Sequence, residues 1–130
     1  MPSLTPETAL EQMAEETAFL AQAPDDFFLA WQQGVELAGA AFFGTGTPAG
    51  LASATSKWDL APDLPLIAEA LGAMSSGERV FIAAMASFYN SHESTPLLRD
   101  AGIEGLADLG RLDQRRRQVI ARLLLSYTGW

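Results

Sequence analysis

The chain has no cysteine and a single histidine, His92. Without thiols there is no disulfide framework, no cysteine nucleophile and no thiolate metal site. One histidine cannot build a His-rich metal centre, and no H-E-x-x-H pair occurs. Bases are scarce as well: 8 Lys and Arg stand against 16 Asp and Glu, for a formal net charge of −8. A chain so acidic repels nucleic acid as a whole, so any nucleic-acid role must come from a local basic patch. Long apolar runs are also missing. The longest, Phe27 to Phe43, covers 17 residues and is broken by Gln32, Gln33 and Glu36, where a membrane span needs about 20. The opening "MPSLTPETALEQMAEET" has acids where a secretory signal has lysines followed by an apolar stretch. These absences predict a cytoplasmic protein with no membrane association, no bound metal and no cofactor.

What is present points to a helical domain. The 130 residues suit one domain spanning 1–130, and 48% hydrophobic residues suffice for a core. Thr5 is placed to cap a helix from about Pro6 to Ala23, with Pro6 at the first helical position and Pro24 at the end. Leu10, Met13, Thr17 and Leu20 share one face of it, while Glu7, Glu11 and Glu15 lie on another. A second helix is expected over about 25–43, apolar on most sides through Phe27, Trp31, Val35, Ala38 and Phe42. Gly34 and Gly39 leave room for a close neighbour there. "GTGTPAGLASATSKWDLAP" has no clear period and reads as a long loop over about 44–62, pinned by Trp58. Asp63 then caps a helix over about 64–74, and Ser75 with Glu78 has capping-box spacing for the next, ending at Asn90. Short helical turns follow in "TPLLRDAG" and "IEGLADLG". A last helix starts near Asp113 and carries Val119, Ile120, Leu123, Leu124 and Tyr127. No run alternates with period two between turn signals. The expectation is an all-α single compact domain of about five to seven helices around the central apolar helix at 25–43.

Arg115, Arg116 and Arg117 stand side by side in this acidic chain, yet a helix turns about 100° per residue, so they cannot form one patch. Arg115 and Arg122 share a face with Gln118 between them. Arg117 is spaced for an ion pair with Asp113, and Arg116 projects near the apolar side, toward an acid elsewhere. "LADLGRLDQRRRQVIARLL" has an outline of helix-turn-helix, whose second helix presents its first residues to base edges. Arg115, Gln118 and Arg122 are thus candidates for nucleic-acid contact, against the plainer readings of an ion-paired solvent face or a protein-binding patch.

Other candidates for chemistry are thin. Ser91, His92 and Glu93 are adjacent in sequence, which is not triad geometry. Glu36 on a mostly apolar helix could serve acid–base chemistry, or simply form a narrow solvent face with Gln32 and Gln33. Asp59 and Asp63 flank Pro62 and suit either a cation or a turn and a cap. "GTGTPAG" lacks the Lys-Ser/Thr that completes a P-loop. No catalytic constellation emerges, and a non-enzymatic role is expected.

The charge distribution is the strongest signal. Residues 1–56 contain seven acids and no base, and six of the eight bases lie between Arg99 and Arg122. On the first helix Phe19 falls among the carboxylates, tucked against Phe27 or Phe28 or else available as an apolar ring rimmed by acids. Glu7, Glu11, Glu15, Glu16 and Phe19 are therefore the expected contact for a protein partner with a basic surface. A row of carboxylates can also imitate a row of phosphates. Phe88, Tyr89 and Asn90, followed by Leu106, Asp108, Leu109 and Asp113, give a segment that resembles small all-α accessory proteins of plasmids, phages and conjugative elements. The resemblance implies a mobile-element context and, with it, an acidic inhibitor of a nucleic-acid-handling complex, of the anti-CRISPR kind. It carries no catalytic residues. The alternative is a DNA-binding regulator using the Arg115/Arg122 face.

Overall fold

In the computed structural model, which describes residues 5–129, every regular element is helical apart from one isolated antiparallel bridge between Phe43 and Pro62. Six α-helices occur among the described residues: α1 Pro6–Ala38, α2 Pro48–Ser53, α3 Leu64–Ala70, α4 Ser76–Tyr89, α5 Thr95–Asp100 and α6 Gln114–Ser126, with short 3-10 turns between them. The all-α expectation holds.

Pro24 lies inside a helix. It does not end a helix: α1 runs through it, so the expected pair at 6–23 and 25–43 is one helix of 33 residues. Proline deletes one backbone bond, here the one to the carbonyl of Leu20, and crowds the turn before it. That cost is local. Pro24 lies on an exposed side, while Ala23 and Phe27 on the other side are held in the core. Thr5 caps the start as expected, its hydroxyl accepting from the Thr8 N–H at 3.1 Å. The helix ends at Gly39 (φ +118°), whose N–H donates to the Val35 carbonyl, and the expected tail to Phe43 is a 3-10 turn at Ala40–Phe42.

The segment 44–62 is folded rather than the expected loop. Thr47 caps α2, and a 3-10 turn covers Lys57–Leu60. The segment is closed on itself by two bonds of 2.8 Å, from the Gly44 N–H to the Ala61 carbonyl and from the Asp63 N–H to the Phe42 carbonyl. Gly44 sits at φ +59°, and a Cβ there would meet the Asp59 carbonyl oxygen at 2.3 Å. Leu60, not Trp58, pins the segment. Leu60 is buried and its carbonyl accepts from the Trp31 indole N–H at 3.0 Å, whereas Trp58 is 56% exposed and rests edge-on against Tyr89.

Asp63 caps α3, and Ser75 with Glu78 forms the full capping box of α4. Every residue of α4 from Val80 to Ala86 is buried, so α4 shares the centre of the core with the second half of α1. Packed around them are Ile67 of α3, Leu97 of α5, and Val119, Ile120 and Leu123 of α6. Leu124 is not part of that core: it is exposed, and Tyr127 lies past the end of α6 and is also exposed. Arg111 ties the α4 start to the turn after α5, donating to Ser76 Oγ at 3.1 Å and to the Gly102 carbonyl at 2.7 Å.

α6 runs antiparallel to the second half of α1. Arg122 meets Gln33, Val119 lies against Gly34, and Tyr127 meets Phe27. A Cβ on Gly34 would come within 2.7 Å of Met85 Sδ and 3.1 Å of Val119, so this glycine lets three helices converge. The core therefore claims α1 only from Ala23 onward. From Leu10 to Gln22 every residue is exposed. α1 is thus a body helix with a projecting arm.

Candidate functional site

The arm carries Leu10, Met13 and Leu20 on the stripe that continues the buried face of the body. They share one face, as their spacing implies, but that face is open: they are 65%, 63% and 53% exposed. Nothing in the residue pattern distinguishes an apolar stripe that has a body beside it from one that has outrun it. Glu7, Glu11, Glu15 and Glu16 are exposed as well, and Phe19 is 46% exposed. Phe19 lines a shallow hollow with Asp26, Leu29, Arg122 and Leu125. Helical periodicity puts Glu11, Glu15 and Phe19 on one side and Leu10, Met13 and Leu20 nearly opposite, so the arm has two distinct faces.

The arginines separate in the structure as their helical positions require, with two corrections. Arg117 does not pair with Asp113. Its guanidinium donates to the carbonyls of Leu112 at 2.7 Å and Gly110 at 2.5 Å, closing the turn that precedes α6. Arg116 does not reach a distant acid but pairs with Asp113 at 2.5 Å and lies over the Phe81 ring. Asp113 also accepts from the Arg116 backbone N–H; that bond first, and then the guanidinium, hold its carboxyl below the usual carboxylate range, against an opposing effect of desolvation. Arg116 and Arg117 are structural. That leaves Arg115 and Arg122.

These two, with Gln118, line a groove of about 510 Å³ between α1 and α6, whose other wall is Gln33, Glu36 and Leu37. The expected grouping of Arg115, Gln118 and Arg122 on one face is what the helix presents. Arg122 donates to Gln33 Oε1 at 2.7 Å, and Glu36 is exposed on the opposite wall. The hollow at Phe19 and this groove share Gln33 and Arg122, so together they form one trough along the α1–α6 seam. A helix-turn-helix does not form: the segment before α6 is a 3-10 turn at Leu106–Arg111.

The remaining candidates resolve into structural roles. Asp63 caps α3, and Asp59 accepts from the backbone N–H and hydroxyl of Thr55, which depresses its pKa. His92 lies in an exposed turn where the Asn90 side chain accepts from the Glu93 N–H. Thr47 of "GTGTPAG" is a helix cap. Among the described residues no three His, Asp or Glu gather as a metal site, and no helix is long and apolar enough to cross a membrane. Sequence reasoning missed Leu29 and Leu125, exposed leucines beside the trough. Their signal was a position on the polar side of each helix. No protein-family model, curated protein or solved structure matches the chain.

Proposed function

We propose that this chain is a non-enzymatic protein-binding module whose docking element is the α1 arm. One observation carries the reading: α1 continues well past the body that stabilises it, and this projecting length displays carboxylates and large apolar side chains that the body leaves exposed. An uncovered helix of this length is marginal in water, so its stability depends on a surface laid against it. Glu7, Glu11, Glu15 and Glu16 select a basic surface, and Phe19 supplies an apolar anchor among them. A carboxylate row of this kind fits surfaces that ordinarily hold phosphates, which favours an acidic inhibitor of a nucleic-acid-handling complex. Nucleic acid itself is the weaker reading, because Arg116 and Arg117 are committed to the fold and the chain carries a formal net charge of −8.

The test is a tagged capture from nuclease-treated bacterial lysate, with Glu7→Lys/Glu11→Lys/Glu15→Lys as the comparison. The expected result is a protein retained by the wild type and lost by the variant, with the variant's melting temperature unchanged. Equal capture by both removes the arm from the reading. DNA recovered from an untreated sample, and lost on Arg115→Ala/Arg122→Ala, would transfer the function to the groove.

A further inference from the structure

We propose that the partner surface for the arm is present on the chain itself: two copies pair through α1, antiparallel, each arm lying in the other's α1–α6 trough. The inference rests on the arm being a docking element and names what it docks on. Its basis is a single row of side chains along α1. Glu11, Glu15, Phe19, Gln22, Asp26, Leu29 and Gln33 follow one another at steps of three or four, the spacing that places residues on one face of a helix. All seven are exposed, over the arm and the body alike.

That row is self-complementary about its middle. Turning a second α1 end for end about Gln22 sets Glu11 against the other copy's Gln33, where Arg122 is already bound at 2.7 Å. It sets Glu15 against Leu29 and Phe19 beside Asp26, in the hollow that Leu125 also lines. Glu7 then runs toward Arg115. In this register Glu36 falls across from Thr8, one residue from Glu7, and Asp26 across from Ala18, so the contact rests on Arg115 and Arg122 outweighing these two acids. The lengths agree. The arm and the body half of α1 are each about 25 Å at 1.5 Å per residue, so two such contacts run the length of both arms along their carboxylate face. An acidic arm and a trough bearing two arginines also fit the chain's uneven charge, with four acids on the arm, Glu7, Glu11, Glu15 and Glu16, and most bases after residue 98. The central residues, Phe19, Leu29 and Leu125, are large exposed apolar side chains with charged groups outside them, the layout of a specific interface.

Sedimentation equilibrium on the full chain tests this, at concentrations up to about 100 µM, where a specific contact of modest affinity must show. The expected mass is twice the 13.9 kDa of one chain. Glu11→Lys/Glu15→Lys replaces the carboxylate facing Arg122 with a like charge, removes the one beside Leu29, and raises the dissociation constant at least about tenfold, a change in keeping with close like charges. Arg115→Glu/Arg122→Glu does the same from the other side. An equimolar mixture of the two variants restores the dimer, since both contacts are then attractive. The arm variant lies outside the core, and circular dichroism at low concentration checks that both variants keep a folded body. A monomeric wild type, a dimer unaffected by either variant, or a mixture that stays monomeric would overturn the pairing. A monomeric wild type whose captured partner is still lost on arm substitution would end the self-pairing alone and leave the docking role intact.

Discussion

Trp31 shows how much of the fold rests on single atoms. Its ring is wholly buried, stacks on Phe27 at 5.9 Å, meets Phe43 edge-on, and donates its N–H to the Leu60 carbonyl at 3.0 Å. One side chain thereby fixes the 44–62 segment to α1. Replacing it by phenylalanine removes the donor and leaves a buried carbonyl without its partner, a loss of about 1–3 kcal/mol before the missing volume is counted. With the smaller ring the expected total for Trp31→Phe is about 2–4 kcal/mol. Urea denaturation followed by far-ultraviolet circular dichroism measures it. A loss under about 1 kcal/mol would mean that the carbonyl finds another donor. The arginines carry the complementary lesson. Four of them lie within eight positions, Arg115 to Arg122, and only their surroundings sort them: Arg117 takes carbonyls of the preceding turn, Arg116 takes Asp113, and Arg115 and Arg122 line the groove. The sorting of faces was legible from the helical turn. The carbonyl partners of Arg117 were not, because they belong to an irregular segment whose path no pattern in the side chains encodes.

At the scale of elements, the signals that were legible are the ones written locally. Thr5, Asp63 and Ser75 each accept from a backbone N–H three residues on, as residue type and position alone indicate, and Asp113, legible only as the start of the last helix, does the same. Pro24 was misread for a physical reason. A proline costs about 3 kcal/mol inside a helix, which is decisive for a peptide but not for a segment anchored on either side of it by Ala23 and Phe27. The helix persists because its next turn is fixed by packing. It follows that the strain sits at the junction between arm and body. Pro24→Ala should therefore strengthen the arm more than the body, restoring the bond to the Leu20 carbonyl. Hydrogen exchange read residue by residue should show slowing of at least about tenfold for arm amides, with little change in α4, since up to about 3 kcal/mol of local cost is removed. Slowing of α4 by the same factor would mean that arm and body open together. The 44–62 segment was missed for the opposite reason: its two short helices have no periodicity of their own, and Leu60 and the Phe43–Pro62 bridge order them through contacts with distant residues.

Considered whole, the molecule divides into a body with a continuous core and an arm without one. The sequence contained the apolar stripe of the arm but not its exposure, because the length at which α1 outruns α6 is a property of how two distant segments pair. Thermodynamically the division means that the arm derives its helicity from the turn it continues, whereas the body derives its from burial. Dilute chains should then fail the test of coincident transitions that marks two-state unfolding. Circular dichroism at 222 nm counts helix in both parts, while tryptophan fluorescence has its buried contributor, Trp31, in the body. In a urea titration of dilute chain the ellipticity should begin to fall before the fluorescence changes, the early portion being the arm. If arms are covered by second copies, raising the concentration stabilises both the arm and the body whose trough receives it, by mass action. The early portion should then move to higher urea until the two curves merge, while the fluorescence midpoint shifts less. Coincident curves at every concentration would show the arm to be held by the body itself, and would locate the stabilising contact within one chain.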